Sequence, residues 1–92
     1  MKTFKLLSLI IFFSFFSWSQ NIITGVISDE TGMPLPGATV IIEGTQDGVS
    51  SDFNGNFTIE VNEGSTLIFS FIGYGAESIL VTDQSEINIS LS

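Results

Sequence analysis

The strongest restriction on the fold comes from the chain after Gln20, where short β-branched and aromatic runs are each closed by Gly, Pro, Asn or Asp. Residues 56–61 show the pattern clearly, because Phe57, Ile59 and Val61 alternate with polar residues. A period of two places the apolar side chains on one face of a strand. No part of this region has a helical period. The sequence therefore predicts an all-β sandwich or barrel.

Seven strands are predicted, over residues 22–28, 39–43, 49–51, 56–61, 66–72, 77–81 and 87–91. The strand 66–72 is apolar on both faces, which predicts a central position in its sheet, whereas 49–51 is short and edge-like. Asn54-Gly55 favours a hairpin turn, because both residue types tolerate positive φ. The predicted core consists of inward-facing residues on the alternating strands: Phe57, Ile59, Val61, Leu67, Phe69, Phe71, Ile87, Ile89 and Leu91.

Residues 1–19 have the layout of a cleavable signal peptide. Lys2 and Lys5 precede an apolar run from Leu6 to Trp18, and Ser17 and Ser19 supply small residues at the −3 and −1 positions. Cleavage before Gln20 would leave residues 20–92 as one domain. The apolar run is shorter than the roughly 20 residues that a transmembrane helix needs. A lipid anchor would need a cysteine at the cleavage site, and the sequence has none.

The charge balance is strongly acidic, with ten Asp and Glu residues, two basic residues and a net charge of −8. Both basic residues, Lys2 and Lys5, belong to the predicted signal peptide. The mature domain then has no lysine or arginine with which to neutralise phosphates, so nucleic acid and anionic lipid surfaces are poor partners for it. Charge repulsion favours a monomer. A basic protein surface would complement these acids, although a simply solvated acidic surface explains them too.

Catalytic side chains are missing from residues 20–92, which contain no His, Cys, Lys or Arg. The usual bases, nucleophiles and oxyanion donors are therefore absent, and we expect neither an enzyme nor a cofactor. Asp52, Asn54, Asn56 and Glu63 are spaced as in a calcium loop, but Phe57 stands where the loop needs glycine. We therefore interpret this stretch as a turn that leads into a strand, and we predict no metal site.

Several turn and strand sequences together resemble one family. They are Thr24-Gly25-Val26, residues 32–40 with the sequence GMPLPGATV, Gly44-Thr45, Gly48, residues 52–57 with DFNGNF, and residues 67–74 with LIFSFIGY. In this order, behind a signal peptide, they resemble the carboxypeptidase regulatory-like domain that forms the N-terminal extension of SusC/RagA-type TonB-dependent outer-membrane receptors. The resemblance covers nearly all of residues 20–92.

The resemblance implies a transthyretin-like, seven-stranded Greek-key sandwich in the periplasm, at the inner side of the outer membrane. There the domain would precede a plug and barrel that import glycans or peptides. Its expected partners are proteins of the cell envelope: the receptor plug or barrel, the energising machinery, or a partner lipoprotein. Two expectations stay open, since the chain can be the leading module of such a receptor or a free-standing periplasmic or secreted domain that binds a protein or carbohydrate.

The residues predicted to contact a partner are Asp29, Glu30, Pro34, Pro36, Asp52 and Tyr74. Asp29, Glu30, Asp47 and Asp52 would form an acidic patch if their turns lie together. Residues 34–37 suit either a recognition loop or a rigid connector between the sheets. Tyr74 lies between two glycines at a strand end, where its ring would either reach a partner or cover one end of the core.

Overall fold

A computed structural model describes residues 20–92 of the chain, without the side chain of Gln20. The predicted signal peptide, residues 1–19, lies outside the described residues, so it stays a prediction. No helix in the described region is long and apolar enough to cross a membrane.

The described part of the chain contains seven strands and no helix, which confirms the all-β prediction. They are β1 (Gln20–Asp29), β2 (Thr39–Ile42), β3 (Gly48–Ser50), β4 (Asn56–Asn62), β5 (Thr66–Ser70), β6 (Glu77–Leu80) and β7 (Ile89–Leu91). Every predicted strand is present, and no strand end differs from its predicted position by more than two residues.

The strands form two sheets, with the orders β4-β1-β7 and β3-β2-β5-β6. Neighbours are antiparallel except for β1 and β7, which run parallel. The internal position of β5 and the edge position of β3 were both predicted from their composition. The two sheets form a sandwich, whereas the Greek-key connection implied by the resemblance stays a prediction.

The core fills the space between the sheets. Its buried apolar residues are Ile23, Ile27, Leu35, Ala38, Val40, Phe57, Ile59, Val61, Leu67, Phe69, Val81, Ile87, Ile89 and Leu91. The rings of Phe57 and Phe69 meet edge to face at 5.4 Å across the two sheets, a favourable arrangement for aromatic pairs. Eight of the nine predicted core residues are in this set.

Phe71 is the exception among the predicted core residues. Strand β5 ends at Ser70, so Phe71 leaves the alternation and is only partly buried against the core. The outer face of β5 is also half-exposed, because within residues 20–92 no further layer covers Ile68. The two-sided apolar pattern thus predicted the strand's place in its sheet correctly but not the burial of both faces.

The turn at residues 52–55 differs from the predicted hairpin in two respects. Gly55 alone adopts a positive φ, of 79°, and Asn54 does not. The turn is closed by hydrogen bonds from Gly55 N to Asp52 O and from Asp52 N to Asn56 O, yet the flanking strands β3 and β4 belong to different sheets. It therefore links the two layers instead of closing a two-stranded ladder.

Candidate functional site

Three connecting segments meet at one end of the sandwich, which we call the loop end: residues 30–38, 51–55 and 71–76. The registers place β1's last residue, β4's first residue and the start of β2 at this end. Two hydrogen bonds join the first two segments, from Gly37 N to Ser51 O at 3.1 Å and from Ser51 N to Ala38 O at 2.8 Å, and Gly75 N of the third segment donates to Ser92 O after β7. The opposite end holds residues 43–47, 62–65 and 81–85.

All six residues that were predicted from the sequence to contact a partner lie in the loop end or next to it. Asp29 ends β1, Glu30, Pro34 and Pro36 follow in the first segment, and Asp52 and Tyr74 lie in the other two. Asp47 does not join them, because its carbonyl accepts from Ile42 N at the opposite end. The condition for a four-acid patch is therefore not met, because Asp47 lies apart from Asp29, Glu30 and Asp52.

The Asp29 carboxylate is committed to its own loop. Its Oδ1 accepts hydrogen bonds from Thr31 Oγ1 at 2.7 Å, Thr31 N at 2.8 Å and Met33 N at 3.0 Å. These donors stabilise the ionised form, led by the Thr31 hydroxyl and the Met33 amide, and they lower the pKa of Asp29 below its ordinary value of 3.8. Asp29 thus shapes the turn that carries Met33.

Acidification is expected to loosen this turn. Because the pKa of Asp29 is lower in the folded chain, its stabilising effect is complete above the ordinary carboxylate pKa and is lost as pH falls through the folded value. Amide chemical shifts of Thr31 and Met33, followed by NMR from pH 7 downward, should change together below about pH 4. Asp29→Asn should remove that titration. A titration that persists in the variant would contradict this assignment.

Asp52 has the same role in the neighbouring turn. Its Oδ1 accepts from Asn54 N and Asn56 N, both at 2.9 Å. The calcium-loop spacing has no structural counterpart, because β4 separates Asp52 from Glu63 and its seven residues span about 23 Å. Among residues 20–92, no three His, Cys, Asp or Glu side chains are grouped as metal ligands.

The proline segment is anchored to the sandwich by backbone and side-chain bonds. Pro34 bridges to Ser28, and the buried Ser51 hydroxyl donates to Leu35 O at 2.5 Å while accepting from Ala38 N at 2.9 Å. With Leu35 buried and both prolines exposed, this segment connects the two sheets through hydrogen-bonded backbone, and its role as a recognition loop stays a prediction. It also holds a fixed surface toward solvent.

Tyr74 lies partly buried at the loop end. Its ring packs against that of Phe71, with centroids 5.7 Å apart, and both rings contact the core. This placement fits the covering of one end of the core. Contact with a partner through Tyr74 stays a prediction.

Sequence reasoning missed three apolar side chains on the loop end. Met33, Phe53 and Ile72 are 64%, 89% and 94% exposed, and each comes from a different segment. Ile72 also lines a shallow cleft of about 340 Å³ with Gly37, Thr39, Ser70 and Phe71. The available signal was a large apolar residue placed inside a turn, next to Gly, Pro, Asp or Asn, where no core position can receive it.

Comparison with known proteins shows the family of this chain. The family model described as the CarboxypepD_reg-like domain matches residues 23–92. The chain belongs to this family. It is 40% identical over 79 residues to TonB-dependent receptor P26 of Formosa agariphila and 36% identical over 88 residues to TonB-dependent receptor SusC of Bacteroides thetaiotaomicron.

The matches cover most of this chain and a small part of each relative. They include 86% of the chain and 8% of P26, and 91% of the chain and 9% of SusC. The chain thus spans less than a tenth of the length of these TonB-dependent receptors. The likeness concerns one domain of each receptor.

Proposed function

We propose that residues 20–92 act as a non-catalytic module of a SusC/RagA-type TonB-dependent outer-membrane receptor. In this role the module lies in the periplasm and supports uptake of glycan or peptide nutrients through protein contacts. The observation that carries the proposal is the similarity to four TonB-dependent receptors, each at least 34% identical to this chain over most of its length. The signal-like residues 1–19 supply the export that such a location requires.

The chemistry of the domain supports a contact role. Residues 20–92 contain no His, Cys, Lys or Arg, so a catalytic site would depend on carboxylates and hydroxyls. At the loop end, the carboxylates of Asp29 and Asp52 are used to fix turns. What the loop end offers instead is a set of exposed apolar and acidic side chains on hydrogen-bonded loops, which suits recognition of another protein.

A receptor chimaera tests the proposal. In the SusC receptor of Bacteroides thetaiotaomicron, the segment that matches this chain is replaced by residues 23–92, and a second strain has the segment deleted. We expect the chimaera to keep TonB-dependent uptake and the deletion to lose it, at equal amounts of receptor in the outer membrane. A chimaera carrying Phe69→Ala, which should unfold the module, is the matched control and should behave as the deletion.

Two outcomes would overturn the proposal. One is a deletion strain with normal uptake, because the module would then contribute nothing to the receptor. The other is a chimaera that is as defective as the deletion although its module is folded. That second result would favour the alternative, a free-standing domain that binds a protein or carbohydrate.

A further inference from the structure

The exposed apolar residues of the loop end lie on loops that are held in place. The carbonyl of Met33 accepts from Asp29 N at 2.9 Å, and Phe53 lies inside the turn fixed by Asp52. Ile72 follows Phe71 in a turn closed by a 3.0 Å bond from Tyr74 N to Phe71 O. Since these tips are already ordered by their loops, binding through them would cost little conformational entropy.

The three tips belong to one continuous surface. A Cβ built on Gly55, in the Phe53 turn, would lie 3.1 Å from Pro34 Cβ, which directly follows Met33. The same proline segment reaches Gly37, and Gly37 and Ile72 line one cleft. Large exposed apolar side chains scattered singly need no explanation, but three at the tips of adjoining loops are typical of an interaction surface.

The negative charge of the loop end restricts the kind of partner that it can bind. Glu30 is exposed in the first loop-end segment, and Glu77 is exposed where β6 leaves the third. Asp29 and Asp52 add negative charge between the tips, and residues 20–92 contain no lysine or arginine. A second copy of this chain or an anionic membrane would repel this surface, whereas Lys and Arg side chains would complement it.

We propose that the loop end docks onto a protein surface that has an apolar depression bordered by Lys or Arg side chains. Met33, Phe53 and Ile72 enter the depression as anchors, and the surrounding carboxylates meet the basic border. Anchors of this kind, central and apolar with a polar rim, supply most of the binding energy in protein interfaces. This inference deepens the proposed function, because it names the surface and the chemistry of the partner.

The probe is a synthetic amphipathic peptide of Leu and Lys. It is titrated into the exported protein that is produced by expressing the full-length gene. We expect the triple variant Met33→Ser, Phe53→Ser, Ile72→Ser to bind the peptide roughly ten- to a hundredfold more weakly. The matched control, Ile22→Ser with Leu80→Ser, removes exposed apolar residues outside the loop end and should bind as the unaltered chain does. All five positions are more than half exposed, so both variants should keep the fold.

Control peptides separate the apolar contribution from the charge contribution. A Gly/Ser/Lys peptide of equal charge should bind more weakly than the Leu/Lys peptide, and with the same affinity to the unaltered chain and to the triple variant. A Leu/Glu peptide should not bind. Added salt should weaken the Leu/Lys complex, because exposed charges are screened beyond about 8 Å at physiological ionic strength. NMR shift changes should be confined to residues 30–38, 51–55 and 71–77.

Several results would overturn the inference. One is that the triple variant binds the Leu/Lys peptide as tightly as the unaltered chain does, and another is that the peptide binds at the opposite end of the sandwich. The others are that the unaltered chain, but not the triple variant, binds zwitterionic lipid vesicles or forms dimers in sedimentation equilibrium. Uptake by the receptor chimaera with and without the triple substitution separates the two proposals. If both chimaeras transport equally, the docking inference fails while the proposed function stands.

Discussion

Phe69→Ala should lower the free energy of unfolding by about 3–5 kcal/mol, which is most of the stability expected for a domain of this size. Phe69 is fully buried, with 0% exposure, on the internal strand β5, and its ring packs edge to face with Phe57 of the other sheet. Truncation leaves a cavity where the two sheets meet, and the chain has no disulfide to hold them together. Urea denaturation followed by circular dichroism measures the loss.

Phe53→Ala is the matched control for this experiment. It removes the same ring from a position that is 89% exposed. The free energy of unfolding should therefore change by no more than about 0.5 kcal/mol. If the two alanine variants lose equal stability, or if Phe69→Ala leaves the midpoint unchanged, the core assignment is wrong.

The strands could be predicted from the sequence because alternation is a local property of the chain. In β4, Phe57, Ile59 and Val61 are all buried while the residues between them are exposed, as the period of two requires. The register follows the same logic, since a one-residue slip would turn these three side chains to solvent. Burial on one face thus specifies both the strand and its orientation.

Pairing between distant strands could not be read in this way. β1 pairs with β4 and, in parallel, with β7, and nothing in the local pattern of β1 identifies either partner. For the same reason Asn54-Gly55 predicted a turn but not that its two strands enter different sheets. Which layer a strand joins depends on contacts between residues far apart in sequence.

Partner contact stays a prediction for the six residues that the sequence analysis named, but their common position at the loop end has a physical reason. The strands joined by residues 30–38, 51–55 and 71–76 begin or finish at this end. The end therefore holds Asp29, Glu30, Pro34, Pro36, Asp52 and Tyr74. Counting charges could not show that Asp29 and Asp52 bind their own backbone amides. It also gave no weight to Met33, Phe53 and Ile72, whose exposure depends on the packing of neighbouring loops.

Gly25→Ala should destabilise the chain by about 3 kcal/mol, the upper part of the usual range for overpacking. Gly25 is buried in β1, where residues 85–87 run close alongside and Ile87 N donates to Thr24 O at 2.9 Å. A Cβ at this position would overlap the carbonyl oxygen of Ile87 and lie 2.9 Å from a ring carbon of Phe57. Backbone conformation is not the obstacle, because Gly25 is not among the residues with positive φ.

The cost of Gly25→Ala is therefore purely steric, and Gly75→Ala is the control that isolates it. Gly75 also lacks a positive φ, but the nearest atom to an added Cβ there is Ser92 O at 3.6 Å, an ordinary contact. Its substitution should change stability by no more than about 0.5 kcal/mol. The overlap at Gly25 involves backbone, which cannot rotate away, so β1 and residues 85–87 must separate. Hydrogen exchange at the Ile87 amide should then be faster in Gly25→Ala, and unchanged exchange together with unchanged stability would show that the two segments are not in contact.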